Sequence, residues 1–160
     1  MARGESLSLS IDRPGGGLQT STGKSIGPTS LTRSPAPKAN LVYDNSNLGG
    51  VQSGPKSLLW LTFDHDIRLT QIETYHWNGG RGPNGGTMSL LEKSTGRVIG
   101  PWQAICSNGM GGAPKVLWTA LPNALVKKGI YRLEVSSPST WSFNAESKNV
   151  DFVKLWATSP

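Results

Sequence analysis

The chain has a single cysteine, Cys106, only two histidines, His65 and His76, and no run of apolar residues long enough to span a bilayer. A lone cysteine excludes an intramolecular disulfide framework and any zinc site built on a cysteine pair. The opening stretch Met1–Ser10 lacks the continuous apolar segment of a secretory signal. The expectation is therefore synthesis in the cytosol without membrane insertion, the final location being a virion or an extracellular surface. Acids are also scarce, 10 against 16 Lys and Arg. The resulting +6 is spread thinly: residues 1–40 hold five bases and two acids, and the rest eleven bases and eight acids, which is +3 in each part. No basic run exceeds Lys127-Lys128, so the clustered cationic face of a specific nucleic-acid binder is not expected.

Few acids leave few ways to build a hydrolase. The one dense cluster is Asp64-His65-Asp66, which reads as a solvated turn between strands rather than a metal site, and an enzymatic site would rest on it and Glu73 alone. Cys106 reads as a small buried or loop thiol, because nothing in its spacing pairs it with either histidine. No enzymatic activity, no metal and no cofactor are expected. Gly17 to Ser25 imitates a phosphate loop but places five residues between its glycines where four are required.

Glycine (20) and proline (11) are abundant, which disfavours long helices, since each costs about 1 or 3 kcal/mol in a helix interior. Residues 1–40 differ from the rest, with Gly, Pro, Ser and Thr at 21 of 40 positions. They read as an N-terminal arm, in which Leu7, Leu9 and Ile11 alternate with serines as in a half-buried strand suited to joining a sheet edge. Residues 41–160 read as one β domain. Apolar stretches at 58–63, 68–77, 87–92, 97–99, 115–120, 131–135 and 150–157 are separated by turn residues, with Gly100-Pro101 expected to break its strand. Such spacing predicts an all-β fold, an antiparallel β-sandwich or jelly roll with an extended N-terminal arm.

Within this domain Tyr75-His76-Trp77-Asn78 runs into a glycine-rich loop ending at Gly86. The stretch is either a rigid platform presenting aromatic and amide groups or a tight corner whose tryptophan caps a core. Six tryptophans divide into two sets. Trp60, Trp118 and Trp156 lie in strands and are expected to fill the core, whereas Trp77, Trp102 and Trp141 lie beside Gly- or Pro-marked breaks. The second set either pins loops or stacks on sugar faces, with Tyr75, His76, Asn78 and Asn144 as further candidate contacts.

Thr74-Tyr75-His76-Trp77-Asn78 with Gly80, Gly82 and Gly86, Gly100-Pro101-Trp102-Gln103-Ala104, Trp118 with Pro122-Asn123, Gly129-Ile130-Tyr131 and Ser139-Thr140-Trp141-Ser142 with Asn144 together resemble a jelly-roll, galactose-binding-like module. That module recurs in bacterial and metagenomic surface proteins, mostly of uncharacterised function. The resemblance covers about residues 41–157 and implies a sandwich fold. Val135-Ser136-Ser137-Pro138 stands where relatives are expected to carry acids, so a calcium site, if relatives have one, is not expected here. Taken together, the sequence points to a non-catalytic structural or adhesive subunit of a repetitive assembly, either a virion decoration or tail component or an extracellular filament. It would join neighbouring subunits, including copies of itself, by strand addition through the arm. The alternative is a carbohydrate-binding module that takes a polysaccharide on its loop tryptophans.

Overall fold

The computed structural model describes residues 35–160. The arm positions Leu7, Leu9 and Ile11 lie outside the described residues. Eleven strands follow in order: β1 (Asn40–Asp44), β2 (Gln52–Ser53), β3 (Trp60–Phe63), β4 (Ile67–Tyr75), β5 (Gly86–Glu92), β6 (Val98–Ser107), β7 (Leu117–Ala120), β8 (Ala124–Val126), β9 (Gly129–Val135), β10 (Ser142–Phe143) and β11 (Val153–Thr158). Nine of them form one antiparallel sheet in the order β1-β11-β4-β7-β6-β5-β9-β3, with β8 paired to the start of β4; β2 and β10 form a small second sheet. The fold is all-β and antiparallel, as the spacing of the apolar stretches predicts.

The sheet curls because β6 serves both halves. Its first part, to Ala104, pairs with β5, and its last three residues, from Ile105, pair with β7. One core fills the curl, drawing Leu69, Ile72, Trp118 and Leu155 from one half and Leu61, Met88, Leu90 and Tyr131 from the other. Alternation on β9 is as the sequence indicates, with Tyr131 and Leu133 buried.

Two bulges set which residues face that core. On β4 the buried positions are Ile67 and Leu69, then Ile72 and Thr74, so the phase changes between them. The cause is Thr70, left unpaired where Ala157 opposes Leu69 and Trp156 opposes Gln71; its Oγ1 donates to the Trp156 carbonyl at 3.0 Å. On β6 the residues Gly100 and Pro101 together oppose Ser89 alone, between the pairs Leu90–Ile99 and Met88–Trp102. Proline therefore does not break this strand, contrary to the sequence expectation. A bulge needs no ladder donor at that point, and Gly100, at a φ of 111°, takes the left-handed backbone that the bulge requires.

The division of the tryptophans also needs correction. Of the strand set only Trp118 is fully buried. Trp60 is 36% exposed on the outer face of β3, with Lys93 Nζ and Arg132 Cζ 5.0 and 5.6 Å from its ring centroid, and Trp156 is half-buried beside Lys154. Trp141, of the loop set, is instead a core residue at 3% exposure. Gly and Pro mark where the backbone turns; they do not say which way a neighbouring side chain points.

Candidate functional site

Past the bulge, β4 alternates strictly. Ile72, Thr74 and His76 turn to the core, whereas Glu73, Tyr75 and Trp77 turn outward. The outward side is roofed into a cleft of about 670 Å³. Its floor is Glu73 and Tyr75 of β4, Leu117 of β7 opposite Tyr75, and Lys154 of β11 opposite Glu73. One wall is the loop 46–51 after β1, and the other includes Gly109 and Met110 at the turn before β7. Leu48 and Met110 stand on the two walls at 87% and 79% exposure, and Trp77 adds an indole 38% exposed. The size falls within the range of small-ligand sites, and aromatic side chains beside a few convergent polar groups are their usual lining.

The wall loop is fixed rather than free to sway. Asn45 Nδ2 donates to the Asp151 carbonyl at 2.7 Å, and its Oδ1 accepts the Val153 amide at 2.8 Å. Asp44 Oδ1 accepts both the amide and the hydroxyl of Ser46, at 2.8 and 2.6 Å. Asn47 and Asn144 exchange reciprocal amide hydrogen bonds of 3.0 and 2.6 Å, joining the loop to the segment after β10. Asn144 is 8% exposed and also accepts the Ser147 amide at 3.0 Å. Its capacity is used in holding the wall, so it is not a free ligand contact.

Beneath the cleft floor lies a stack of three rings. The His76 imidazole lies 4.0 Å from the Trp118 ring at 23°, and 6.3 Å from the Trp141 ring at 14°. Trp141 Nε1 donates to the Phe152 carbonyl at 3.0 Å. The hydrogen bonds fix the histidine's protons. Thr140 Oγ1 donates to the Ser137 carbonyl at 2.9 Å, so it accepts from His76 Nδ1–H at 2.9 Å, and Nε2 accepts from the Thr74 hydroxyl at 3.0 Å. Burial holds the imidazole pKa down to about 3, which leaves it neutral at ordinary pH. His76 is a structural strand-end residue, closed to ligand. The next residue is tied in the same way: the Trp77 amide donates to Ser142 Oγ at 2.8 Å, across 65 positions of sequence. The Tyr-His-Trp and Thr-Trp-Ser stretches thus interlock.

The predicted platform therefore divides. Tyr75 and Trp77 line the cleft. Asn78 is exposed at its margin with φ 41°, its Nδ2 donating to the Arg81 carbonyl at 3.2 Å. Trp102 belongs to the other half of the sheet, opposite the buried Met88 and packed against the core. Trp141 has no exposed face on which a sugar could stack. The glycine loop after Trp77 is a tight corner at Gly82, where a Cβ would collide with the Lys115 carbonyl.

The sequence reading missed Lys154, Asn47, Leu48 and Met110, which come from distant segments that only the fold assembles. Glu73 had a local signal, sitting two residues before Tyr75 and four before Trp77 on one predicted strand, and so on one face. Burial raises the Glu73 pKa; the Lys154 ammonium opposes this and the Asp44 charge adds to it. Burial also raises that of Tyr75.

Away from the cleft, Asp64-His65-Asp66 is an exposed turn. Asp64 Oδ1 lies 2.5 Å from His65 Nδ1, while Asp66 accepts from Lys127 Nζ at 2.8 Å and from the Lys128 amide at 2.9 Å, which lowers its pKa. Cys106 is half-buried on β6. Among the described residues no group of three or more His, Cys, Asp or Glu is placed to hold a metal ion, and no helix is long and apolar enough to cross a membrane. Compared with protein-family models, curated proteins and solved structures, the chain matches none.

Proposed function

We propose that the protein is a non-catalytic binding module that takes a carbohydrate in the cleft between the 46–51 loop and the turn before β7. The observation that carries this reading is the pairing of the outward-facing Tyr75 and Trp77 with two charged groups on the cleft floor, Glu73 and Lys154. A pyranose has an apolar face of C–H groups and an equatorial rim of hydroxyls. The first stacks on an aromatic ring and the second exchanges hydrogen bonds with amide and charged groups. The platform is Tyr75 and Trp77, without Trp102, Trp141, His76 or Asn144. The experiment is a titration of intrinsic fluorescence with polysaccharides and oligosaccharides, beside the variant Trp77→Ala. Saturable binding weakened by that substitution supports the reading; binding that ignores it, or silence across a broad panel, ends it.

A second reading, the assembly subunit joined by its N-terminal arm, is favoured by one observation. β3 ends the sheet with one side unpaired among the described residues, and Leu58 just before it is 61% exposed. An unpaired edge is a template for an added strand, and the Leu7-Ser8-Leu9-Ser10-Ile11 alternation is of the right kind to add. Light scattering of the full chain beside a truncation lacking residues 1–40 tests it: assembly that disappears with the arm supports strand addition, and equal masses end it. The two readings are compatible, since they use different faces.

A further inference from the structure

We infer that the cleft selects uncharged glycans, gripping two neighbouring ring hydroxyls between Glu73 and Lys154, and that it rejects glycans bearing carboxylate or sulfate groups. This rests on the reading of the cleft as a carbohydrate site and adds the ligand's chemistry. Glu73 and Lys154 are cross-strand partners in the β4–β11 register, so their side chains rise side by side from the floor. Lys154 Nζ lies 3.9 Å from Glu73 Oε1 and 4.0 Å from Asp44 Oδ2. Those separations balance charge but are too long for hydrogen bonds. Among the described residues neither Glu73 nor Lys154 makes any other side-chain hydrogen bond, although their side chains are only 19% and 34% exposed.

A half-buried carboxylate beside a half-buried ammonium, each with its hydrogen-bonding capacity unspent, forms a gap with acceptors on one side and donors on the other. Two adjacent equatorial hydroxyls of a pyranose fit it. One donates to Glu73, the other accepts from Lys154, and each polarises the other. A single hydroxyl, or an apolar ligand, would leave one of the two charged groups desolvated without a partner.

The same array sets the sign of the selection. One ammonium stands between two carboxylates, so the local sum is −1 although the whole chain carries +6. A uronate or sulfate entering the cleft meets Glu73, with the Asp44 charge just beyond Lys154 in the β1-β11-β4 order and, among the described residues, no uncommitted cation on the cleft floor. Among the described residues the only basic one lining the cleft is Lys154, whose charge is already shared. Like charges in a partly desolvated site repel strongly enough to reject a partner.

The test is calorimetric titration of the full chain with two oligosaccharide sets matched in length, neutral hexose or pentose oligomers and uronate oligomers, beside Glu73→Gln, Lys154→Met, Asp44→Asn and Trp77→Ala. The expected result is that a neutral oligomer binds and that Glu73→Gln and Lys154→Met each weaken it roughly tenfold to hundredfold, with an unchanged melting temperature. Uronates should bind at least tenfold more weakly than neutral oligomers, and Asp44→Asn should narrow that ratio. Uronates binding as well as neutral oligomers, or neutral binding that survives both Glu73→Gln and Lys154→Met while Trp77→Ala abolishes it, would each overturn the selection and leave the carbohydrate reading standing. Absence of binding by every oligomer, or binding untouched by Trp77→Ala, removes the carbohydrate reading and this inference with it.

Discussion

Consecutive residues at the end of β4 and just past it have opposite fates. Thr74 and His76 are sealed in the core at 1% and 0% exposure, bonded to each other and to the segment after β9. Glu73, Tyr75 and Trp77 look out into the cleft with polar capacity to spare. The two sets differ in chemistry less than their roles suggest, since each holds an aromatic ring and polar atoms. What separates them is the parity set by one unpaired residue, Thr70. Without that bulge the phase of Ile67 and Leu69 would continue, carrying Glu73 and Tyr75 inward and Ile72 and His76 outward.

The sharpest way to break this contrast is to exchange the two faces at one step, Ile72→Glu together with Glu73→Ile. The exchange buries a carboxylate in place of Ile72, which is fully enclosed at 0% exposure, with no partner built for it. The expected cost is comparable to a typical domain's whole stability of about 5–15 kcal/mol, so the variant should show no cooperative thermal transition by circular dichroism. A gentler probe substitutes one face at a time. Ile72→Ala, in the core, should lose about 2–5 kcal/mol in denaturant unfolding with the cleft's ligand affinity little changed, the reverse of the Trp77→Ala pattern below.

Next in size is a pH effect that two buried groups conceal from each other. Burial pushes Asp151, which is 4% exposed, up to about 6. Its contribution to stability is complete below the ordinary carboxylate pKa and is lost as pH rises through 6. His76, held down to about 3, contributes above its ordinary pKa of 6.5 and loses that contribution as pH falls towards 3. Between pH 4 and 6 the slopes oppose. The wild-type stability should therefore be nearly flat there, whereas Asp151→Asn should expose the histidine slope of about 1.4 kcal/mol per pH unit and gain about 2–3 kcal/mol near pH 8. A flat profile in Asp151→Asn as well would contradict the burial of one or other group. The smallest expected stability effect belongs to the cleft. Trp77→Ala should shift unfolding by less than about 1 kcal/mol while weakening saccharide binding tenfold or more.

The class of the fold was legible because period-two alternation and frequent turn residues are local properties. Tyr131 and Leu133 fall inside as written. The bulges were not legible, because an unpaired residue is defined by the strand opposite: Thr70 by Trp156 and Ala157, and Gly100-Pro101 by Ser89. That single limitation led to the expectation of a break at Pro101. The candidate site was half legible. Tyr75 and Trp77 could be found from their place at a strand end, whereas the wall residues Asn47 and Leu48 and the floor residue Lys154 come together only through the pairing of β4 with β11 and the Asn47–Asn144 bond. Trp141 misled because its loop position says nothing about the Phe152 carbonyl that draws its ring inward.

The pairing of β1 with β11 carries a consequence for how the domain tolerates rewiring. Asn40 sits opposite Ala157, so the first and last strands of the described part are neighbours. A short linker would bridge them, and the exposed Ser94-Thr95-Gly96 turn between β5 and β6 offers a place to open the chain instead. Such a circular permutant should keep the sheet and the cleft intact. By the same token the domain could be grafted into a surface loop of another protein, held at two neighbouring points, with the cleft left facing outward.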